Sequence, residues 1–535
     1  MMIKRTVLLV IFIGGSFVQP PAQAVSMVAP RTPHYALVHH QVSTSSAAAQ
    51  AFFDQGLTLL YAFSRSAARR SFQSAADADP RLAMAYWGVA MSFGSNINEA
   101  QDAATERAAY SAMQRALKLS SDASPSERAY IKTLVARFSR ASNPDFSSLA
   151  IAYHDAMRTL SQRYPGDLDA ATLYAESGMD LRPWDWYSSD GTPRAGTAEI
   201  VATLESVLSR DPGHIGANHF LIHATEASLR PERALPSARR LASMNFEPSA
   251  AHLTHMPAHT FARTGYYDAA VQSNVTATQH DRMYLASEGH SDREASTYYD
   301  HNLTFLAFAA EMEGNFAAAR GTLPQLRREG AQVPALFVLL RFERWGDILA
   351  LHQPKADPAE PMRIVFWRYA RGTAFAAAGD VRAADRERKA MNAVGRALHV
   401  PSLAGWYNGS DALVDVADDV LQAKIADAQR DHNSAVSLLR SAIRKQDELN
   451  YIEPPDWYYP VRESLGGILL RQARFGEAAQ VFRDDLARNP RNPRSLFGLA
   501  KALAGSAQVA DARRVQARFE EAWKHADIRL TPQDL

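Results

Sequence analysis

His219 and His223, followed by His255 and His259, form two His-x-x-x-His pairs in this chain. Residues four apart on a helix share a face, with β-carbons about 6 Å apart, so one pair can chelate one ion. Two pairs on neighbouring helices can close a four-nitrogen site. Nine of the 17 histidines fall between His214 and His301, about three times the share that an even spread gives. With no cysteine in the chain, a metal site must draw on His, Asp, Glu or Met. Neutral imidazole suits zinc, copper, nickel and iron. One such pair alone is more often hydrogen-bonded or solvated than ligating; it is the matched register of two that points to metal. A histidine-lined groove that takes a peptide or an anionic ligand without metal is the competing reading.

The elements that position these residues are helical. Strand signals are almost absent, and alanine-rich segments with apolar spacings of three and four are broken by Asp-Pro, Asn-Pro or Gly turns. Self-comparison gives a period of 34. Gly56, Ala68, Phe72, Ala75 and Pro80 fall at offsets 8, 20, 24, 27 and 32 of a unit beginning near Ala49. Gly466, Ala478, Phe482 and Pro490 repeat that register, and Gly372 and Ala384 fit it too.

These residues resemble the tetratricopeptide repeat, a helix-turn-helix unit. The resemblance implies an all-α, right-handed superhelical solenoid of roughly ten to twelve units over most of residues 45–525. Small residues at offsets 8 and 20 let paired helices approach, and the large residue at 24 fills the space between units. The expected organisation is a leader at 1–24, N-terminal repeats at 25–213, histidine-bearing repeats at 214–325 and C-terminal repeats at 326–535. Two stretches break the period, 184–194 and about 280–297, the second holding His280, Tyr284, His290 and Asp292. Long loops in repeat proteins are often functional.

With units beginning near Ile215 and Ala251, His219 and His255 share offset 5, and His223 and His259 share offset 9. In tetratricopeptide proteins offsets 2, 5, 9 and 12 line the concave groove. The resemblance therefore implies a groove holding His219, His223 and Glu226 from one unit, His252, His255 and His259 from the next, His301 from a third, and Glu176 from an earlier one. The segments Asn218-His219-Phe220-Leu221-Ile222-His223-Ala224 and His255-Met256-Pro257-Ala258-His259-Thr260-Phe261 also resemble an exported bacterial branch of these proteins. That branch carries Asn-His-Tyr-Leu-Ile-His-Ala and His-Met-Pro-Ser-His-Ile-Phe motifs. This chain departs at Phe220, Ala258 and Thr260 and keeps every histidine. The branch implies a common groove site and supplies no reaction.

Two chemistries suit such a groove. Triads His214/His219/His223 and His252/His255/His259, with His301 able to replace His214, match the six imidazoles of a dinuclear copper centre that oxidises a small, phenolic substrate. Alternatively His219, His223, His255 and His259 hold zinc or another divalent ion, with Glu226 or Glu176 as general base for an activated water. The excess of imidazole over acid tilts the balance to oxidation. A peptide-binding scaffold and a metal carrier are the non-enzymatic alternatives. Met256-Pro257, inside the second pair, removes one helical hydrogen bond and sets up a bend beside His255. Arg263 and Tyr298 could reach a bound ligand, but an exposed arginine and a packing tyrosine are the preferred reading, and the aromatic turn at 451–459 reads mainly as packing.

Composition bounds the rest. Against 57 acidic residues stand 58 basic ones, so no global field favours nucleic acid or an anionic membrane. Lys4 and Arg5, the apolar run Thr6 to Gly15 and Ala22-Gln23-Ala24 form the pattern of a cleaved secretory leader, with too short an apolar stretch to span a bilayer. The expectation is a periplasmic or secreted protein without stable membrane insertion, taking a small-molecule or peptide ligand.

Overall fold

The computed structural model describes residues 37–288, 292–328, 330–358, 360–402 and 407–535. The expected leader and His290 lie outside them. Among the described residues the regular structure is helical, with two isolated β-bridges, Asn96 to Glu99 and Tyr187 to Pro193, and no longer strand. Helices start where the sequence offers caps. Ser46, Asp102, Ser124 and Asp292 each accept a backbone N–H of the first turn that follows, and Ser124 completes a capping box with Glu127 behind Pro125.

The helices pair as hairpins, among them Ala47–Tyr61 with Arg65–Ala78, Arg363–Ala377 with Val381–Leu398, and Val461–Arg471 with Phe475–Arg488. The turns share one device. Phe63, Gly379, Arg430, Ala473 and Ala507 all take left-handed backbone angles at the same place in their hairpins. In each case the next residue's N–H returns to a carbonyl five back: Ser64 to Leu59 at 3.0 Å, Asp380 to Phe375 and Arg474 to Leu469 at 2.9 Å. That bond satisfies a carbonyl the helix end leaves open and offsets the cost of a left-handed residue with a β-carbon. Between hairpins the expected small and large positions interlock. Phe72 lies so close to Gly56 and Gly88 that a β-carbon on either would come within 2.7 and 2.3 Å of its ring. Phe482 does the same to Gly466 and Gly498 at 2.3 and 2.1 Å. The chain is an all-α, tetratricopeptide-like solenoid.

The superhelix does not stay open. One apolar core runs from Val42 to Ala309 and a second from Leu285 to Ala512. The helix Arg293–Glu313 serves both, giving Phe305 and Ala309 to the first and Leu303, Ala307 and Ala310 to the second. The first hairpin bends back onto this region. The Arg65 N–H donates to Glu294 at 3.0 Å, Arg70 donates to the Tyr284 hydroxyl at 2.8 Å, and Ser66 bonds Asp292. From the other side Asp527 caps the backbone of Phe316 and Ala317 at 2.7 Å each. Contacts between residues more than two hundred positions apart therefore close the expected groove, and its inner face becomes interior.

Both interruptions of the period are largely structured. Most of the second extends its hairpin, with Tyr267–Ser287 and Arg293–Glu313 each reaching 21 residues, where a loop was expected. The first is a turn that lays Trp184 against His223, 5.1 Å between ring centroids, and donates the Tyr187 hydroxyl to the Ala224 carbonyl at 2.8 Å.

Phe72→Ala and Phe482→Ala are each expected to lower stability by about 3–5 kcal/mol, as large cavities between units do. Melting of the full chain reads this; an unshifted transition in both variants would mean these rings do not bind neighbouring hairpins together.

Candidate metal centre

The helix Ile215–Glu226 carries His219, His223 and Glu226 on one face, as the spacing requires. The next bearer is interrupted: Ala251–His255 and Pro257–Thr264 are separate helices, because Pro257 offers no N–H. Met256 keeps helical angles, so the result is a mild break between His255 and His259. His301 comes from Arg293–Glu313.

These side chains meet as two triads. His219, His223 and His252 form one, and His255, His259 and His301 the other, with one ligand atom per residue lying within 4.8 Å of its fellows. The grouping differs from the expected one. His252 crosses to the first triad, with its Nε2 3.1 Å from that of His219, while His255 Nε2 lies 2.7 Å from His259 Nε2 and 3.1 Å from His301 Nε2. The triads adjoin, with 5.4 Å between the ring centroids of His223 and His259. Five of these rings, all but His301, are at most 4% exposed, so they sit beneath the surface and do not line an open groove.

The outer ring nitrogens define the tautomers. His219 Nδ1 lies 2.6 Å from the Tyr61 carbonyl, which only accepts, so this nitrogen carries the proton. His255 Nδ1 donates to Asn274 Oδ1 at 2.6 Å, and the amide is oriented by its own donation to the Ala270 carbonyl. His223 Nδ1 donates to Glu226 Oε1 at 2.9 Å. His259 Nδ1 donates to Glu226 Oε2 at 2.5 Å and Glu453 Oε2 at 2.6 Å. Four Nε2 atoms are thereby turned inward. This is the outer support that ligating imidazoles usually have. His223 Nε2 is buried without a hydrogen-bond partner.

Inward lone pairs at such separations repel unless a cation lies between them. A tetrahedral ion with nitrogen ligands at 2.0–2.1 Å holds them about 3.3 Å apart, so the observed contacts need open by only a few tenths of an ångström. In its absence a proton takes the place. Burial opposes charge on His259, but the carboxylates of Glu453 and Glu226 outweigh it and raise its pKa to about 10. The other imidazoles are held neutral. Burial, with neighbouring imidazoles adding to it, lowers His219, His252 and His255 well below the usual range, His223 to about 3 and His301 to about 4. Burial and the nearby Glu226 raise the Glu453 carboxyl.

Aromatic rings enclose the first triad. Phe63 stacks over His252 and His223, at 5.6 and 6.1 Å between centroids, and meets His219 edge-on at 4.6 Å. Tyr298 lies 4.6 Å from His252. The second triad borders a cavity of about 630 Å³, whose wall includes His259, Phe305, Tyr451 and Glu453. The Tyr451 hydroxyl donates to Glu453 at 2.9 Å and lies 3.3 Å from Glu226.

Two sequence candidates are not brought in. His214 caps the helix Ile215–Glu226, accepting from the Ala217 N–H, and turns its Nε2 to Asp169 at 3.2 Å. Asp169 also binds His40 at 2.7 Å and the Tyr61 hydroxyl at 2.6 Å. Glu176 is buried away from the histidines, near Arg137 and Asp180; burial raises its carboxyl, opposed by the Arg137 charge, and Arg137 itself pairs with Asp180 at 3.8 Å. Glu226 does join the cluster, but both its oxygens are engaged by ring N–H groups. His280 lies apart, 3.2 Å from the Thr254 hydroxyl. The residue sequence reasoning missed is Glu453. Its one signal was a carboxylate within an aromatic, proline-rich turn, and nothing local ties that turn to the histidines.

No protein-family model matches this sequence, and no curated protein matches it. Among solved structures, yeast Tom70 is 12% identical, with 91% of this chain aligned to 93% of that one at a TM-score of 0.29. The human IFIT1 dimer with PPP-AAAA is 10% identical, with 90% and 92% aligned at a TM-score of 0.31. Likenesses this distant carry no argument about the site. The helix pairing and interlocking described above establish the fold. Among the described residues no helix is long and apolar enough to cross a membrane.

Metal-free protein should lose stability from these rings as pH falls below 6.5. Unfolded imidazoles take up protons there and the buried neutral ones do not, at about 1.4 kcal/mol per pH unit for each ring. His259 has the opposite sense: its contribution is complete below 6.5 and is lost as pH rises through about 10. His223→Asn and His301→Asn should each make the acid limb shallower than wild type between pH 6.5 and 4.5 in chelator. Melting curves that remain parallel would show that these rings titrate freely. Glu226→Gln should weaken metal binding about 10–100-fold, as loss of an outer ligand-orienting group does. Competition against a chromophoric chelator measures it.

Proposed function

We propose that this chain is a metalloenzyme with a dinuclear transition-metal centre, three imidazoles to each ion, and that it oxidises a small organic substrate. The observation that carries the reading is the pair of adjoining histidine triads, in which four of the six rings have Nδ1 held from outside and Nε2 turned inward. Six imidazoles without a carboxylate among the inner nitrogens suit copper better than magnesium, calcium or manganese. A copper pair so held would supply electron exchange with dioxygen and the substrate. The chain's own residues do the rest. Tyr61, Asn274 and Glu226 fix ring orientation, and Phe63 and Tyr298 cover the first triad. Glu226 and Glu453 would provide negative charge against the ions and hold the proton on His259 Nδ1, which leaves its Nε2 as the ligating nitrogen.

The hydrolytic alternative needs a carboxylate free to take a proton from water. Glu226, the expected base, is engaged at both oxygens, and Glu176 is elsewhere. Only Glu453, at the cavity wall, favours that reading, through the mixed group His223, Glu226, His259 and Glu453. A carrier or scaffold would not require the second triad to border a cavity of this size, which lies within the range of small-molecule sites. We further propose that the leader exports the protein, placing it with the exported histidine-motif branch that the two segments resemble.

Elemental analysis of the purified full chain should find two transition-metal ions per molecule. His223→Ala and His259→Ala should each reduce the metal content, and copper-loaded wild type should consume oxygen with simple phenols, as an oxygen electrode records. One zinc per chain with ester or peptide hydrolysis would replace oxidation by the alternative. Metal content unchanged in both variants would remove the centre itself.

A further inference from the structure

The cavity beside His259 carries a charge pattern that the metal centre does not use. Its wall contains acidic and basic side chains, and the acids are engaged. Glu453 binds His259, Asp447 pairs with Arg462 at 2.6 Å, Asp456 accepts the Asn408 N–H at 2.7 Å, Glu232 takes Arg230 at 3.0 Å, and Asp190 accepts Ser188 and Thr192. Among the described residues, two arginines of the same wall, Arg263 and Arg491, have no acidic partner within ion-pair distance. Arg263 donates Nε to the Glu226 carbonyl at 2.8 Å and lies over the Tyr451 ring at 5.4 Å. Arg491 lies over Tyr266 at 4.4 Å, with its Nε 3.4 Å from the Gly265 carbonyl. Both guanidinium groups are thus oriented by carbonyls and rings, Arg263 also through a second nitrogen 3.5 Å from the Ser228 carbonyl, which leaves its Nη1 edge for a ligand.

We infer that this cavity binds a small aromatic carboxylate, with Arg263 gripping the carboxylate and the ring placed towards His259. The inference rests on the proposed centre for what happens to that ring, but not for its binding. Arg263 lies four residues after His259 on the helix Pro257–Thr264, so both side chains project from one face, about 6 Å apart at their β-carbons. Both line the same cavity, so one small ligand can meet the two side chains together. Phe305, Tyr267 and Trp457 complete an apolar lining around it. The guanidinium fork matches a carboxylate with two parallel N–H donors, a geometry that lysine lacks. Arg491 adds positive charge to the same wall, so an anion is favoured over a neutral phenol.

Calorimetric titration of the full-length protein with 4-hydroxybenzoate and with phenol tests this, in metal-free and copper-loaded forms. 4-Hydroxybenzoate should bind at least tenfold more tightly than phenol in both. Arg263→Gln should remove most of that preference, Arg263→Lys should keep a part, and Arg491→Gln should reduce it while leaving the binding stoichiometry at one. A retained melting temperature shows that each variant is folded. Equal affinity for the two probes, no binding of 4-hydroxybenzoate, or an undiminished preference in both glutamine variants would overturn the inference. So would tighter binding of a short peptide through its terminal carboxylate. Arginine-dependent binding of 4-hydroxybenzoate without oxygen consumption would uphold this inference and defeat oxidation; oxygen consumption with phenol and no such preference would do the reverse.

Discussion

Six imidazoles crowded together, five of them buried, are the constraint to which the surrounding structure answers. A buried ring nitrogen with no partner is costly, and two lone pairs facing each other are worse. The protein could satisfy these rings with water or with one another by alternating donors and acceptors. The outer nitrogens of His219, His223, His255 and His259 are all committed as donors to a carbonyl, an amide or carboxylates, so any proton between the rings must come from a ring that carries one on its inner nitrogen, as His259 does towards His255. The inner lone pairs are left for a positive charge. His259 alone offers one from within, as a proton stabilised by two acids. The local neutrality of the other rings, the buried carboxylates and the covering aromatics all follow from keeping that space ready and water out of it.

The scaffold explains how so unfavourable a cluster is tolerated. Hairpins interlocked by Phe72 and Phe482 against glycine make a stiff body, and the left-handed turns with their returning hydrogen bonds repeat along its length. Burial spread over two long cores leaves room for a locally destabilising site. Stability and function are drawn from different parts of one array, as is common where an active centre is strained or desolvated.

Much of this was legible in the sequence. The period follows from Gly56 and Phe72 near one end and Gly466 and Phe482 near the other, because close helix packing restricts what those positions accept. The histidine register follows from the same period, and His219, His223, His252, His255, His259 and His301 do come together. The grouping did not follow. It depends on the break at Met256-Pro257 and on the long helix that carries His301, and a regular repeat conveys neither. His214 and Glu176 fit the offsets but do not join the cluster: His214 turns to Asp169, and Glu176 is buried elsewhere, in the neighbourhood of Arg137 and Asp180. Glu453 and Phe63 reach the site only because the superhelix closes on itself, and local pattern says nothing of contacts across such separations.

That closure has a consequence for the order of events. The groups that finish the cluster, the Tyr61 carbonyl on one side and the Glu453 carboxylate on the other, are nearly four hundred residues apart. Hairpins form from neighbouring residues and are quick, whereas distant docking comes late. For the metal centre proposed above, coordination would therefore be a final act of assembly. A partly made chain holds its histidines on separate, unclosed hairpins and grips ions weakly. Only the fully docked array would have a lasting hold, so under that proposal the compartment in which folding ends would decide which metal is taken.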